Sequence, residues 1–404
     1  MVDKSPLAPD AFPTMPNIAG VRLAVGKAEI KYQGRTDLMI AQLASETTVA
    51  GVYTRSLTAS APVEWCRKAL GGGQAEALIV NSGNANAFTG KAGEASVERT
   101  VEAAADLFFC RPSKVFVAST GVIGEPFPDE KLTAALPKAM EKLDENNWEK
   151  AAQAIMTTDT FAKGASRTAD IGGTQVTING IAKGSGMIAP DMATMLAFVF
   201  TDADIDAKSL QALLVSGADI SFNAITVDSD TSTSDSLMLF ATGQAGNDKA
   251  ALLDDFKAKL DELLIDLAGQ VVRDGEGASK FISVTITGAN DDGAAKRIGL
   301  AIANSPLVKT AIAGEDANWG RIVMAVGKAG EKADRDKLVI HIGGTAITEG
   351  GQVIFDYDEA PVAEHLKGSD IDISVDVGIA SGEATVWTCD LTHGYITINA
   401  DYRS

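Results

Sequence analysis

The chain has 404 residues, 46% of them hydrophobic and 22% charged, which is enough apolar material for one large core or two. A formal charge of -19 excludes a nucleic-acid binder, because phosphate contacts need a basic face and no lysine or arginine run here is dense. No apolar stretch reaches the roughly eighteen residues that span a bilayer, and Met1-Val-Asp-Lys-Ser-Pro lacks the pattern of a leader, so the expectation is a cytoplasmic protein acting on small molecules.

In chain order, Ala77 to Val80 reads as a buried strand, Ala95 to Phe109 as a helix and Val115 to Ser119 as a second strand. Helices are expected at Glu130 to Leu143, where Pro137 should kink or split the pattern, and at Trp148 to Met156. The clearest helix lies between Ala250 and Val272, where Phe256, Leu260, Leu263, Leu267 and Val271 form one apolar stripe, with Gly275 placed to terminate it. From Phe281 the texture changes to alternating strands at Phe281 to Thr287, Val339 to Ile342, Ile371 to Val377 and Ala384 to Thr388. Periodicity alone therefore supports a mixed α/β protein.

Cys66, Cys110 and Cys389 are far apart and odd in number, so they suggest buried small side chains rather than a disulfide framework or zinc site. His341, His365 and His393 match no metal-binding arrangement, and none is singled out as a catalytic base. Asp228-Ser-Asp-Thr-Ser-Thr-Ser-Asp235 has the look of a calcium loop but fails it: Thr233 stands where the turn glycine belongs and Leu239 where the bidentate glutamate belongs. It reads as structural or close to a site.

The densest chemistry lies in Lys183-Gly-Ser-Gly-Met-Ile-Ala-Pro-Asp-Met-Ala-Thr194-Met-Leu-Ala-Phe198, a glycine-rich loop running into an apolar strand led by Thr194. On residue type alone Thr194 is an ordinary β-branched strand residue. Cleavage of the Ala193-Thr194 bond would instead give it an α-amine beside its hydroxyl, a nucleophile and its own base. Elsewhere, the Thr120-Gly121 pair after Val115 to Ser119 reads as a strand ending in a tight turn. Thr157-Thr-Asp-Thr160 could finish a helix or contact an amino acid.

The sixteen residues from Lys183 to Phe198 closely resemble the cleavage and nucleophile region of the ornithine acetyltransferase family of arginine biosynthesis, and motifs from Asn81-Ser-Gly-Asn-Ala-Asn to Ser404 follow that family in order. The resemblance implies cleavage between Ala193 and Thr194, giving an α chain (1–193) and a β chain (194–404) assembled as α2β2. It implies a Thr120-Gly121 oxyanion hole and substrate contacts from Thr157 (ahead of Thr158), Lys183, Thr194, Glu276, Asn399 and Ser404. It also implies transfer of acetyl from N-acetylornithine to glutamate through acetyl-Thr194, with no metal and no cofactor. Some members also use acetyl-CoA as donor, and nothing in the residues decides that here. The implied fold is an α/β, layered αββα sandwich resembling the N-terminal-nucleophile hydrolases over 1–280, plus a smaller β-rich C-terminal domain over 281–404. Two rivals are weighed: a self-cleaving aminopeptidase on a related fold, which would carry serine at 194, and a binding protein, which would lose Thr194, Thr120 or Glu276.

Overall fold

The computed structural model describes residues 3–189 and 195–400. The first stretch runs β1 (Val21–Gly26), β2 (Leu38–Leu43), β3 (Thr48–Tyr53), α1 (Ala61–Ala69), β4 (Ala77–Asn84), α2 (Gly90–Phe108), β5 (Val115–Val122), α3 (Asp129–Met140), α4 (Trp148–Ala154), β6 (Lys163–Ile171) and β7 (Thr174–Lys183). Four of these strands make a sheet in the order β1-β2-β4-β5, and β4 and β5 are parallel because α2 carries the chain back between them.

Next come β8 (Leu196–Thr201), α5 (Ala207–Asp219), β9 (Ser236–Ala241) and α6 (Asp254–Arg273). The apolar run after position 194 becomes β8, buried at every residue, in a five-stranded sheet ordered β3-β9-β8-β7-β6. The two sheets face each other through aromatic rings. Phe116 meets Phe240 edge-on at 6.2 Å, Phe200 stacks on Phe240 at 5.3 Å, and Trp148 meets Phe200 edge-on at 5.6 Å. Leu210 and Leu214 of α5 and the expected stripe of α6 cover the outer face of the second sheet. Val63 and Cys66 of α1, Val97 and Val101 of α2, and Leu132 and Leu136 of α3 cover the first. The result is an αββα sandwich.

Two local expectations are corrected. Pro137 neither splits nor displaces α3, because it sits in the last turn and the helix stops three residues later at Met140. Gly275 is not the left-handed terminator of α6: Asp274 caps the helix, and the left-handed glycine is Gly277, at φ 74°. Gly275 is small for another reason, since a Cβ there would lie 2.8 Å from Cys389 Sγ.

The last stretch contains β10 (Phe281–Ala289), α7 (Asp292–Ala303), α8 (Pro306–Ala313), α9 (Trp319–Gly327), β11 (Val339–Ile342), β12 (Thr345–Glu349), β13 (Gln352–Val353), α10 (Ala360–Leu366), β14 (Asp370–Asp376), β15 (Gly382–Cys389) and α11 (His393–Asn399). Its strands form a third sheet ordered β13-β12-β11-β14-β10-β15. The expected strands are present, joined by helices that periodicity did not reveal. Local caps start two of these: Asp291 accepts from Ala294 N, and Ser305, followed by Pro306, accepts from Val308 N. α11 then leaves the sheet and returns to the sandwich, where Thr392 Oγ1 donates to the Gly277 carbonyl at 2.7 Å. Among the described residues no helix is long and apolar enough to cross a membrane.

Candidate active site

A cavity of about 120 Å³ opens where seven segments converge: the residue after β4, the end of β5, the turn after α4, the end of β7 with its glycine loop, the stretch before β9, the turn after α6, and α11. Thr120, Gly121, Thr157, Thr158, Lys183, Glu276 and Asn399 all line it, together with Ser232, Thr233 and Ser234. Residues as far apart in sequence as Ala85 and Asn399 thus share one small space. Ala193, Thr194 and Ser404 lie outside the described residues.

One rim is uncharged. β5 runs on to Val122, so Thr120-Gly121 belongs to the strand's last residues rather than to the tight turn expected there. Gly121 has φ 131°, and a Cβ on it would fall 2.3 Å from the Gly83 carbonyl carbon, so no other residue fits this approach to β4. β5 is also the sheet edge, which turns alternate backbone N–H groups away from β4. The neighbouring asparagines hold this rim in place. Ser119 Oγ donates to Asn81 Oδ1 at 2.6 Å, Asn81 Nδ2 donates to the Asn84 carbonyl at 2.9 Å, and Asn84 Nδ2 donates to the Pro126 carbonyl at 3.2 Å.

The opposite side is charged and buried. Asp159 Oδ1 accepts from Lys163 Nζ at 2.7 Å and from Gly184 N at 2.6 Å, and Oδ2 accepts from Thr157 N at 2.9 Å. Lys163 Nζ also donates to Asp274 Oδ2 at 2.6 Å, and Asp274 in turn accepts from Thr160 N at 3.0 Å. Burial alone would raise Asp159, but the ammonium charges of Lys163 and Lys183 outweigh it and hold the carboxyl below the usual range. One ammonium cannot neutralise two buried carboxylates equally, and Asp274 is pushed upward, first by its own burial.

Lys183, at the end of β7, has Asp159 Oδ2 as its ion-pair partner at 3.9 Å. Burial is the largest influence on it, and its pKa falls below the ordinary lysine value even though Asp159, Asp235 and Glu276 pull the other way. Glu276 Oε2 accepts from Asn399 Nδ2 at 2.7 Å, and its backbone N donates to the Ser185 carbonyl at 2.9 Å. Gly186 makes room for it, since a Cβ there would lie 2.6 Å from the carboxylate. The Thr157-to-Thr160 cluster does not finish α4, which Ile155 caps; Thr157 and Thr158 line the cavity, and Asp159 joins the buried charge network.

The sequence reading missed Asp159, Asp228 and Asp235 as individual residues, although two of them lie in the segment judged structural or close to a site. Asp228 ties the glycine loop to α11, accepting from Met187 N at 2.7 Å, Ile188 N at 2.8 Å and Tyr395 Oη at 3.2 Å. Asp235 Oδ1 accepts from Met195 N at 3.0 Å, while its buried Oδ2 has no hydrogen-bond partner among the described residues. Burial pushes the Asp235 carboxyl well up.

The model of the ArgJ family matches residues 22–404. The chain belongs to the ArgJ family. It is 58% identical to the arginine biosynthesis bifunctional protein ArgJ of Gluconobacter oxydans, over 99% of this chain and 95% of that protein. Among solved ArgJ-family structures, the Bacillus halodurans protein is 40% identical, with a TM-score of 0.48, over 49% of this chain and 95% of that one. An ornithine acetyltransferase from Mycobacterium tuberculosis, crystallised with ornithine, is 36% identical, with a TM-score of 0.39, over 43% of this chain and 92% of that one.

Proposed function

We propose that the chain is an acetyltransferase of arginine biosynthesis that cuts itself before Thr194 and passes acetyl from N-acetylornithine to glutamate. The observation that carries this reading is the cavity, in which Lys183 and Glu276 supply opposite charges beside the Thr120-Gly121 rim. A zwitterionic amino acid needs such a pair, one charge for its carboxylate and the other for an amine.

In the first half-reaction the Thr194 hydroxyl adds to the acetyl carbonyl of N-acetylornithine, its proton passing to the α-amine of the same residue. Thr120 and Gly121 hold the oxyanion, and one such donor is worth on the order of 3 kcal/mol. Collapse breaks the amide C–N bond, the ornithine amine leaves with that proton, and acetyl remains as an ester on Thr194. The glutamate amine then attacks the ester and reverses the sequence. No bound cofactor enters either step.

Cleavage leaves the two pieces interleaved, because β8 and β9, after the cut, pair with β7 and β3, before it. That arrangement supports an α and a β chain that stay together, while the α2β2 assembly rests on the family resemblance alone. A denaturing gel of purified protein should show two bands near half the full mass, and Thr194→Ala should give one band and no transfer. Parallel double-reciprocal plots for acetylornithine and glutamate are expected, with acetyl-CoA as a separate donor arm. A single full-length band at full activity sinks the self-cleavage reading, and hydrolysis of peptide amides without transfer to glutamate sinks the acetyl-transfer reading.

A further inference from the structure

A second cavity, of about 600 Å³, lies away from the amino-acid cleft and is walled by Lys27 after β1, Lys131 and Lys138 of α3, Lys142 just beyond that helix, and Lys150 of α4, with Thr36 beside them. Among the described residues lining it there is no aspartate or glutamate. Lys131 Nζ donates to the Glu29 carbonyl at 3.0 Å and Lys150 Nζ to Asn147 Oδ1 at 3.2 Å, so both retain donors to spare. Lys27, Lys138 and Lys142 give their ammonium protons to no protein atom among the described residues.

A solvated helix face does not need this arrangement. α6 mixes signs on its surface, pairing Lys257 with Asp261 at 2.5 Å and Lys259 with Glu262 at 2.7 Å. α3 instead turns Lys131 and Lys138 to the same cavity, and Lys142, in the turn just beyond the helix, joins them there without an acidic partner among the described residues. Five positive charges gathered on a chain of net charge -19 are matched by a multiply charged anion, and ammonium groups are point-charge partners for phosphate oxygens. The volume falls in the range of small-molecule pockets, while an extended polyanion would meet repulsion from the rest of the surface.

The position is also informative. β1 runs antiparallel to β2, β2 antiparallel to β4, and β4 parallel to β5, so Gly26 beside the lysines and Gly121 at the cleft lie at the same end of one sheet. Three strand spacings separate them, about 14 Å at about 4.8 Å each. The β1–β2 connection touches both places: Lys27 and Thr36 line the lysine cavity, while Arg35 Nη2 donates to the Met156 carbonyl at 2.5 Å, next to Thr157.

We propose that this lysine-walled cavity binds a small molecule carrying several phosphates, at a site distinct from the amino-acid cleft. The test is calorimetric binding to the full-length protein with coenzyme A, ATP and tripolyphosphate as probes, for wild type, Lys138→Ala/Lys142→Ala and Lys27→Glu. At least one probe should bind, with affinity that falls as salt rises and drops about tenfold or more in both variants. Exchange of acetyl between acetylornithine and glutamate should be unchanged by these substitutions. Binding of coenzyme A alone assigns the site to that nucleotide, whereas binding of all three assigns it to the phosphates they share. No binding by any probe, or binding that both variants leave unchanged, overturns the proposal. The readout is binding, so it stands or falls independently of the acetyl-transfer reading.

Discussion

The floor of the cleft around Lys163 and its wall around Lys183 share Asp159, yet the two lysines respond to burial in opposite ways. Lys163 has carboxylates at 2.7 and 2.6 Å, and these overcome a desolvation that by itself would lower it, so its pKa rises. Lys183 is nearly as buried but stands 3.9 Å from that partner, and desolvation prevails. One ammonium is fully compensated from within the fold, whereas the other is left short of counter-charge at the edge of a cavity. That difference separates a lysine that holds the protein together from one that, on the function proposed above, would meet the carboxylate of the amino acid.

The largest test of the contrast is Lys163→Met, which leaves Asp159 and Asp274 buried without their cation. Removing one partner of a buried pair costs about 3–5 kcal/mol, a large share of an ordinary stability, so the urea midpoint should collapse. Lys183→Met should change stability by less than about 1 kcal/mol, because Asp159 keeps Lys163. Its effect should appear in catalysis instead, as a loss of about 10- to 100-fold in kcat/KM carried mainly by KM. A normal midpoint for the first variant together with an unfolded second would break the comparison.

How much of this was legible in sequence follows the range of the interactions. Continuous apolar runs gave β4, β5 and β8, and the stripe of α6 was plain because each depends on neighbours within a few positions. Lys163 was invisible, since its partner Asp274 is 111 residues away and nothing local distinguishes it from a surface lysine. Lys183 by residue type looked equally solvated, and only the resemblance of its whole segment marked it. α7 to α9 were missed because they are only 12, 8 and 9 residues long, too short for a stripe as plain as that of the 20-residue α6.

Titration should sharpen the contrast. Between the lowered pKa of Lys183 and the ordinary 10.5, the unfolded chain holds a proton that the folded chain has shed, so stability from this group rises with pH. Lys163 contributes fully below 10.5 and loses its contribution as pH climbs through its raised value. Chemical unfolding across the alkaline range should therefore lose its rising component in Lys183→Met and keep it in wild type. Over the same interval KM for the amino acid should climb, at lower pH than an ordinary lysine would cause.

The smallest expected effect comes from Glu276→Gln. The Asn399 amide can still donate to the glutamine oxygen, so the link from α11 to the turn after α6 survives and the fold should be unaffected. KM for acetylornithine should rise about tenfold as a charge-assisted contact becomes a neutral one. Glu276 is also one of the charges holding the Lys183 pKa up, behind Asp159 and Asp235. Its neutralisation must lower Lys183 further, moving the alkaline rise in KM to lower pH. Lys163, whose balance is set by Asp159 and Asp274, should not respond, so the alkaline loss of stability should stay where it is. If both limbs move together, the two lysines form one electrostatic unit and the division between floor and wall fails.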